Sequence, residues 1–189
     1  GAGVGALAAM QKGGLGSVSL KLENGYTVGA LVVVNPFGSV TTSGGKHFWA
    51  APFEFENEFG GAGIDSSPDL FDLKHSPKNR AMKVHSDQIS NTTIAIVATD
   101  APLSKTQCYR MAVAAHDGMV RAIVPSHTLH DGDLVFALST KKGEIDHETF
   151  RDIGVASAVC LSRAIARGVY EATTDEDDIL PTYKKTNSI

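Results

Sequence analysis

Apolar runs early in the chain read first as paired strands. SVSLKL (17–22) and YTVGALVVVN (26–35) flank Glu23-Asn24-Gly25. Asn-Gly between hydrophobic runs is the strongest short-range hairpin signal, so the two runs are expected to pair antiparallel. The second run is almost continuously apolar, which predicts a strand inside a sheet covered on both faces. It stops at Asn35-Pro36, where proline removes a ladder donor. TIAIVATD (93–100) predicts a further buried strand, and SKTQ (104–107) has the form of a capping box that opens a helix. That helix would carry Cys108, Met111, Ala112, Ala115 and Met119 on one stripe. LVFAL (134–138) predicts the next strand. A long helix from about His147 to Thr173 follows, with Ile153, Ala156, Val159, Cys160 and Ala164 inward. Between Phe37 and Ser90 the periodicity dissolves into a long loop of the kind that is functional or disordered. The acidic TTDEDD stretch and the tail after it are expected to be solvated or disordered.

Strands with faces to bury, and apolar-striped helices to cover them, imply a layered α/β arrangement in a single domain, 1–189. Composition narrows the partners. A net charge of −4 and a pI near 6.0 lack the basic footprint of a nucleic-acid binder. No apolar run approaches the roughly 20 residues needed to span a bilayer, so no membrane partner is expected. The two cysteines, Cys108 and Cys160, fall in helical apolar patterns and suit reduced core positions, which points to a cytoplasmic protein. No signal peptide is visible. The chain opens on GAGVGALAAM without an initiator methionine, and its true beginning is expected to lie further upstream.

Several candidate chemistries can be weighed on the residues themselves. Gly1, Gly3 and Ala6 fit a dinucleotide fingerprint, with Glu23 about where a ribose-binding acid belongs, but no strand precedes them. His127 and His130 have loop-metal spacing, with Asp131 and Asp133 as possible oxygen ligands, yet no second His/Cys cluster completes a set. Cys108 lies on an apolar helical stripe, a poor place for a nucleophile. Asp131 and Asp133, two apart in an extended segment, would point the same way at a strand's entrance; the competing reading is a solvated Asp-Gly turn. Thr92 stands at the mouth of a buried strand, directly after Asn91 and a long polar loop. A threonine hydroxyl becomes a useful nucleophile when its own α-amine can act as base, which demands a chain cut just before it. Asn-Thr at a strand entrance is also common for ordinary reasons, and these residues alone leave both readings open.

Four stretches together change that balance. GAGVGALAAMQKGGLGS (1–17), VVVNPFG (32–38), SNTTIAIVATDAPLS (90–104) and HTLHDGDLVFALST (127–140) resemble, in the same order, the L-aminopeptidase/D-esterase peptidase family of N-terminal-nucleophile hydrolases. The resemblance covers most of residues 1–40 and 91–172. The N-T-T-I start and the D-G-D loop are most similar to the branch of endo-type 6-aminohexanoate-oligomer hydrolases. The resemblance implies an αββα sandwich and a precursor that cuts itself between Asn91 and Thr92. Residues 1–91 would then be the later portion of an α part and 92–189 the β part, with the family's N-terminal region missing. Position by position it implies Thr92 as nucleophile and α-amine base, Asn35 as oxyanion donor, Asp131 and Asp133 as the acids around the threonine, and Lys12 as the lysine near the nucleophile. It further implies hydrolysis of an amide, peptide-like or oligoamide, or of an ester, through an acyl-threonine intermediate and with no cofactor. A homo-oligomer is expected. The alternatives are an acyltransferase of the ornithine acetyltransferase type and a non-catalytic binding or assembly protein with a degenerate site.

Overall fold

The computed structural model describes residues 1–69, 76–84 and 91–189, with the side chains of 82–84 excepted. The predicted loop therefore includes two segments, 70–75 and 85–90, that lie outside the described residues. The hairpin forms as expected: β1 (Gly14–Lys21) pairs antiparallel with β2 (Thr27–Val34) in a register that sets Leu15 opposite Val33 and Lys21 opposite Thr27. β2 continues antiparallel onto β3 (Ile94–Pro102), and β3 pairs parallel with β4 (Leu134–Lys141), giving a four-stranded sheet in the order β1-β2-β3-β4. A parallel neighbour requires a crossover, which is α2 (Lys105–Ala122). Its N-terminus carries the predicted capping box: Ser104 Oγ accepts from Gln107 N–H, and Gln107 Oε1 accepts from Ser104 N–H.

Strand alternation divides the sheet into two faces. Val28, Ala30, Val32, Val34, Ala95 and Val97 are buried beneath α3 (His147–Tyr170) and α2. Gly16 explains how closely α3 approaches, since a Cβ there would lie 1.9 Å from the Ala164 carbonyl oxygen. The opposite face is a departure from expectation. Leu31 is 44% exposed and Phe136 61%, and Leu15, Ile94 and Leu138 are exposed beside them. Among the described residues, β2 is thus covered on one face only. Its continuous apolar run announces two faces suited to burial, but the described residues supply one helical layer and one sheet of the four layers implied by the resemblance.

The tail also corrects the sequence reading. Thr182 caps α4 (Tyr183–Asn187), Tyr183 is buried with its ring 4.6 Å from that of Phe48, and its hydroxyl donates to Lys46 O at 2.6 Å. Leu180 is buried as well. Two apolar anchors thus dock a segment whose composition looks solvated, and they hold down the loop after β2.

The tight contact under Gly16 yields a test. Gly16→Ala is expected to destabilise the protein by about 1–3 kcal/mol through overpacking. Denaturant unfolding should show a lower midpoint with an unchanged slope, whereas an unchanged midpoint would mean that α3 can move aside.

Candidate active site

Sheet topology gathers the predicted residues at one end. Because β2 and β3 run antiparallel with Val33 opposite Ile94, the exit of β2 lies beside the entrance of β3. Continuing that register sets Asn35 opposite Thr92, and Thr92 N–H donates to the Asn35 carbonyl oxygen at 2.9 Å. Val34 and Thr93 are buried on the helix side, so alternation sends Asn35 and Thr92 to the other face together. The parallel pairing of β4 brings the D-G-D loop to the same place: Asn91 bridges Asp131, and Leu134 N–H donates to Thr93 O at 3.1 Å.

Thr92 Oγ1 donates to the Asn91 carbonyl oxygen at 2.6 Å, and Gly132 N–H donates to that same oxygen at 3.1 Å. The carbonyl before the threonine therefore carries two donors, one of them the candidate nucleophile. Gly132 must stay small, since a Cβ on it would lie 2.9 Å from Thr92 Oγ1. Asn91 is buried, and among the described residues its side-chain oxygen has no hydrogen-bond partner.

The two aspartates are structural as well as electrostatic. Asp131 accepts from Phe37 N–H at 2.8 Å through one oxygen, and from Thr128 N–H at 3.0 Å and Thr128 Oγ1 at 2.6 Å through the other. Asp133, its side chain only 1% exposed, accepts from Thr93 N–H at 2.8 Å and lies 3.2 Å from His127 Nδ1. Both carboxylates are thus engaged by the protein. His127 in turn meets His116, with 3.2 Å between Nε2 and Nδ1; burial, followed by the neighbouring His127, lowers the pKa of His116 below its ordinary value. His130 instead lies against the Phe37 ring, so the two histidines singled out by spacing face different neighbours.

Lys12 has partners of its own. Its ammonium pairs with Asp178 and its backbone N–H bonds Pro181 O, which ties it to the docked tail. A different lysine enters the cluster. Lys78, in the first turn of α1 (Pro77–Val84), is buried and donates to Leu7 O at 2.6 Å, Pro36 O at 2.8 Å and Asn35 Oδ1 at 3.4 Å. The sequence reading places this stretch in the long loop; the signal it holds is Ser76 before a proline at the first helical position, and in the structure Ser76 Oγ accepts from Asn79 N–H. The lysine's role had no sequence signal.

The model of the family described as peptidase family S58 matches residues 1–178. The chain belongs to this family. Among curated relatives, an uncharacterized aminopeptidase of Mycobacterium leprae is 39% identical over 97% of this chain and 51% of its own length. A 6-aminohexanoate-oligomer endohydrolase of Paenarthrobacter ureafaciens is 31% identical over 64% of this chain and 31% of its own. The chain thus spans about half the length of the aminopeptidase it matches, or less for the endohydrolase. Among solved structures, the L-aminopeptidase D-Ala-esterase/amidase of Ochrobactrum anthropi, a variant of the Ntn hydrolase fold, superposes with a TM-score of 0.63 at 20% identity. That match covers 98% of this chain and 48% of the other. A Pyrococcus horikoshii protein gives 0.65 at 25% identity, covering all of this chain and 49% of its own. The fold is that of the Ntn hydrolases.

Asp133 offers a test of how this S58 site is held. Asp133→Ala removes the acceptor of the buried Thr93 N–H and should destabilise the protein by about 1–3 kcal/mol. Thermal and denaturant melts report the loss; wild-type stability would mean that another group takes over that N–H.

Proposed function

We propose that this chain carries the catalytic end of a self-processing N-terminal-threonine hydrolase, cut between Asn91 and Thr92 and acting on amide bonds. One observation carries the reading: Thr92 Oγ1 lies against the carbonyl it would attack, 2.6 Å from its oxygen, while Gly132 N–H holds that oxygen from another side. Attack of Oγ on the Asn91 carbonyl carbon generates an oxyanion next to the Gly132 donor. Collapse expels the Thr92 nitrogen with a proton and leaves an ester between Asn91 and Thr92 Oγ. Water hydrolyses that ester, giving a carboxylate on Asn91 and a free α-amine on Thr92.

The same atoms then serve turnover. The Thr92 nitrogen already donates to Asn35 O, a contact that orients the new amine while its lone pair takes the proton from Oγ. Thr92 Oγ attacks the substrate acyl carbon, the Asn35 side chain donates to the oxyanion, the amine product leaves with the transferred proton, and water releases the acid. Asp133, through Thr93 N–H, and Asp131, through Phe37 N–H, clamp the segments that carry Thr92 and Asn35. The aminopeptidases and 6-aminohexanoate-oligomer endohydrolases among the relatives favour a peptide-like or oligoamide substrate; ester cleavage is within the same chemistry. Cytoplasmic location and self-association belong to this proposal too, the former supported by unpaired Cys108 and Cys160.

Intact mass spectrometry of the full-length protein tests it. Wild type should give two pieces that meet at Asn91/Thr92, and Thr92→Ala a single uncut chain, because no hydroxyl remains for the acyl shift. Normal cutting of Thr92→Ala would rule out Thr92 as the nucleophile.

A further inference from the structure

Lys78 is a buried cation with three oxygens around it: Leu7 O at 2.6 Å, Pro36 O at 2.8 Å and Asn35 Oδ1 at 3.4 Å. An ammonium has three hydrogens, so each oxygen receives one. Asn35 Oδ1 also accepts Leu7 N–H at 2.9 Å. With two donors on its oxygen, the Asn35 amide cannot flip without turning its NH2 group against an N–H and an ammonium. The oxygen end is therefore locked, and the NH2 end is directed away from Leu7 and Lys78. A cation on the amide oxygen also draws electron density through the conjugated group, which makes its N–H groups stronger donors.

We infer that Lys78 is the positioning residue of the Asn35 oxyanion donor: its ammonium fixes and polarises the Asn35 amide, and a neutral amine at this place releases it. The inference rests on the hydrolase reading above, in which Asn35 meets the developing oxyanion. α1 lies on the segment that runs toward Asn91, so residues ahead of the cut would help build the site used after it.

The charge state of Lys78 supplies a readout that a purely structural role would lack. Burial pushes its pKa down from 10.5 to about 8, against the opposing pull of Asp131 and Asp133, the charged groups that face it. Among the described residues, Leu7 and Pro36 present carbonyls to the ammonium. Once neutral, the amine has two hydrogens for three oxygens, and the longest contact, to Asn35, is the one given up. Turnover should therefore fall as pH rises through about 8. Stability should move the other way. Between about 8 and 10.5 the unfolded chain holds the proton that the folded one has lost, so this group's contribution to stability rises with pH. The freed Thr92 amine cannot cause the alkaline loss, because it must be neutral to act as base and an ordinary α-amine titrates near about 7.7–8.0.

The experiment compares full-length wild type, Lys78→Met and Lys78→Arg by initial rates on an L-aminoacyl p-nitroanilide from about pH 6 to about pH 10, alongside melts and intact masses. Wild type should lose kcat above about pH 8 while remaining folded. Lys78→Met should lose at least about tenfold in kcat with KM little changed, and its alkaline fall should vanish. Lys78→Arg, whose guanidinium stays charged, should retain activity into alkaline pH. Wild-type kcat in Lys78→Met, or an unmoved alkaline fall in Lys78→Arg, overturns the inference; should the Met variant fail to fold, the Arg profile decides. An uncut, inactive wild type removes the hydrolase reading and this inference with it, whereas a cut, active wild type beside a fully active Lys78→Met removes the inference alone.

Discussion

The hydrogen bond from Thr92 N–H to the Asn35 carbonyl is the constraint on which the rest of the site depends. It extends the β2–β3 ladder one rung beyond the strands, and with it the antiparallel register places the β2 exit against the β3 entrance. Once that rung exists, alternation puts both side chains on one face, and the parallel strand β4 can deliver only its own entrance, the D-G-D loop, to the same end. A register slip of one residue would turn Thr92 toward the helices and separate it from every partner described here. The placement of these residues is thus a consequence of strand order and register.

Polar satisfaction does the remaining work. At the Thr92 end of the sheet three charged side chains are matched to partners: Asp131 to Phe37 and Thr128, Asp133 to Thr93 and His127, Lys78 to Leu7, Pro36 and Asn35. Such a network is costly to disturb, because each broken contact leaves a buried group desolvated and unpaired. Among the described residues, the buried Asn91 Oδ1 and Thr93 Oγ1, on either side of Thr92, have no hydrogen-bond partner.

Much of this was legible in the sequence wherever the signal was local. Asn24-Gly25 announced the hairpin and Ser104-x-x-Gln107 the start of α2, because turn and cap chemistry is written in adjacent residues. Asn35, Thr92, Asp131 and Asp133 were found through their motifs, and the structure brings all four to one end of the sheet. What the sequence did not announce was long-range. Lys12 meets Asp178 across most of the chain, and nothing near either residue announces the pair. Lys78 sits in a stretch without periodicity, so its burial follows only from packing against Leu7 and Pro36. The tail looked solvated by composition, yet Leu180 and Tyr183 suffice to dock it. The open sheet face escaped as well, since an apolar run states that a face suits burial and leaves its cover unspecified.

The central claim is that Thr92 works as an N-terminal residue, with its hydroxyl and α-amine on adjacent carbons. Only a threonine or serine at a chain start has that arrangement, and periodate cleaves the bond between those two carbons. Brief periodate treatment of the purified full-length protein, followed by peptide mass mapping, therefore tests the account most directly. It should convert the peptide that begins at Thr92 into its glyoxylyl form and abolish turnover in step with that conversion. A Thr92 peptide that stays joined to Asn91, or full activity after complete conversion, would contradict the account.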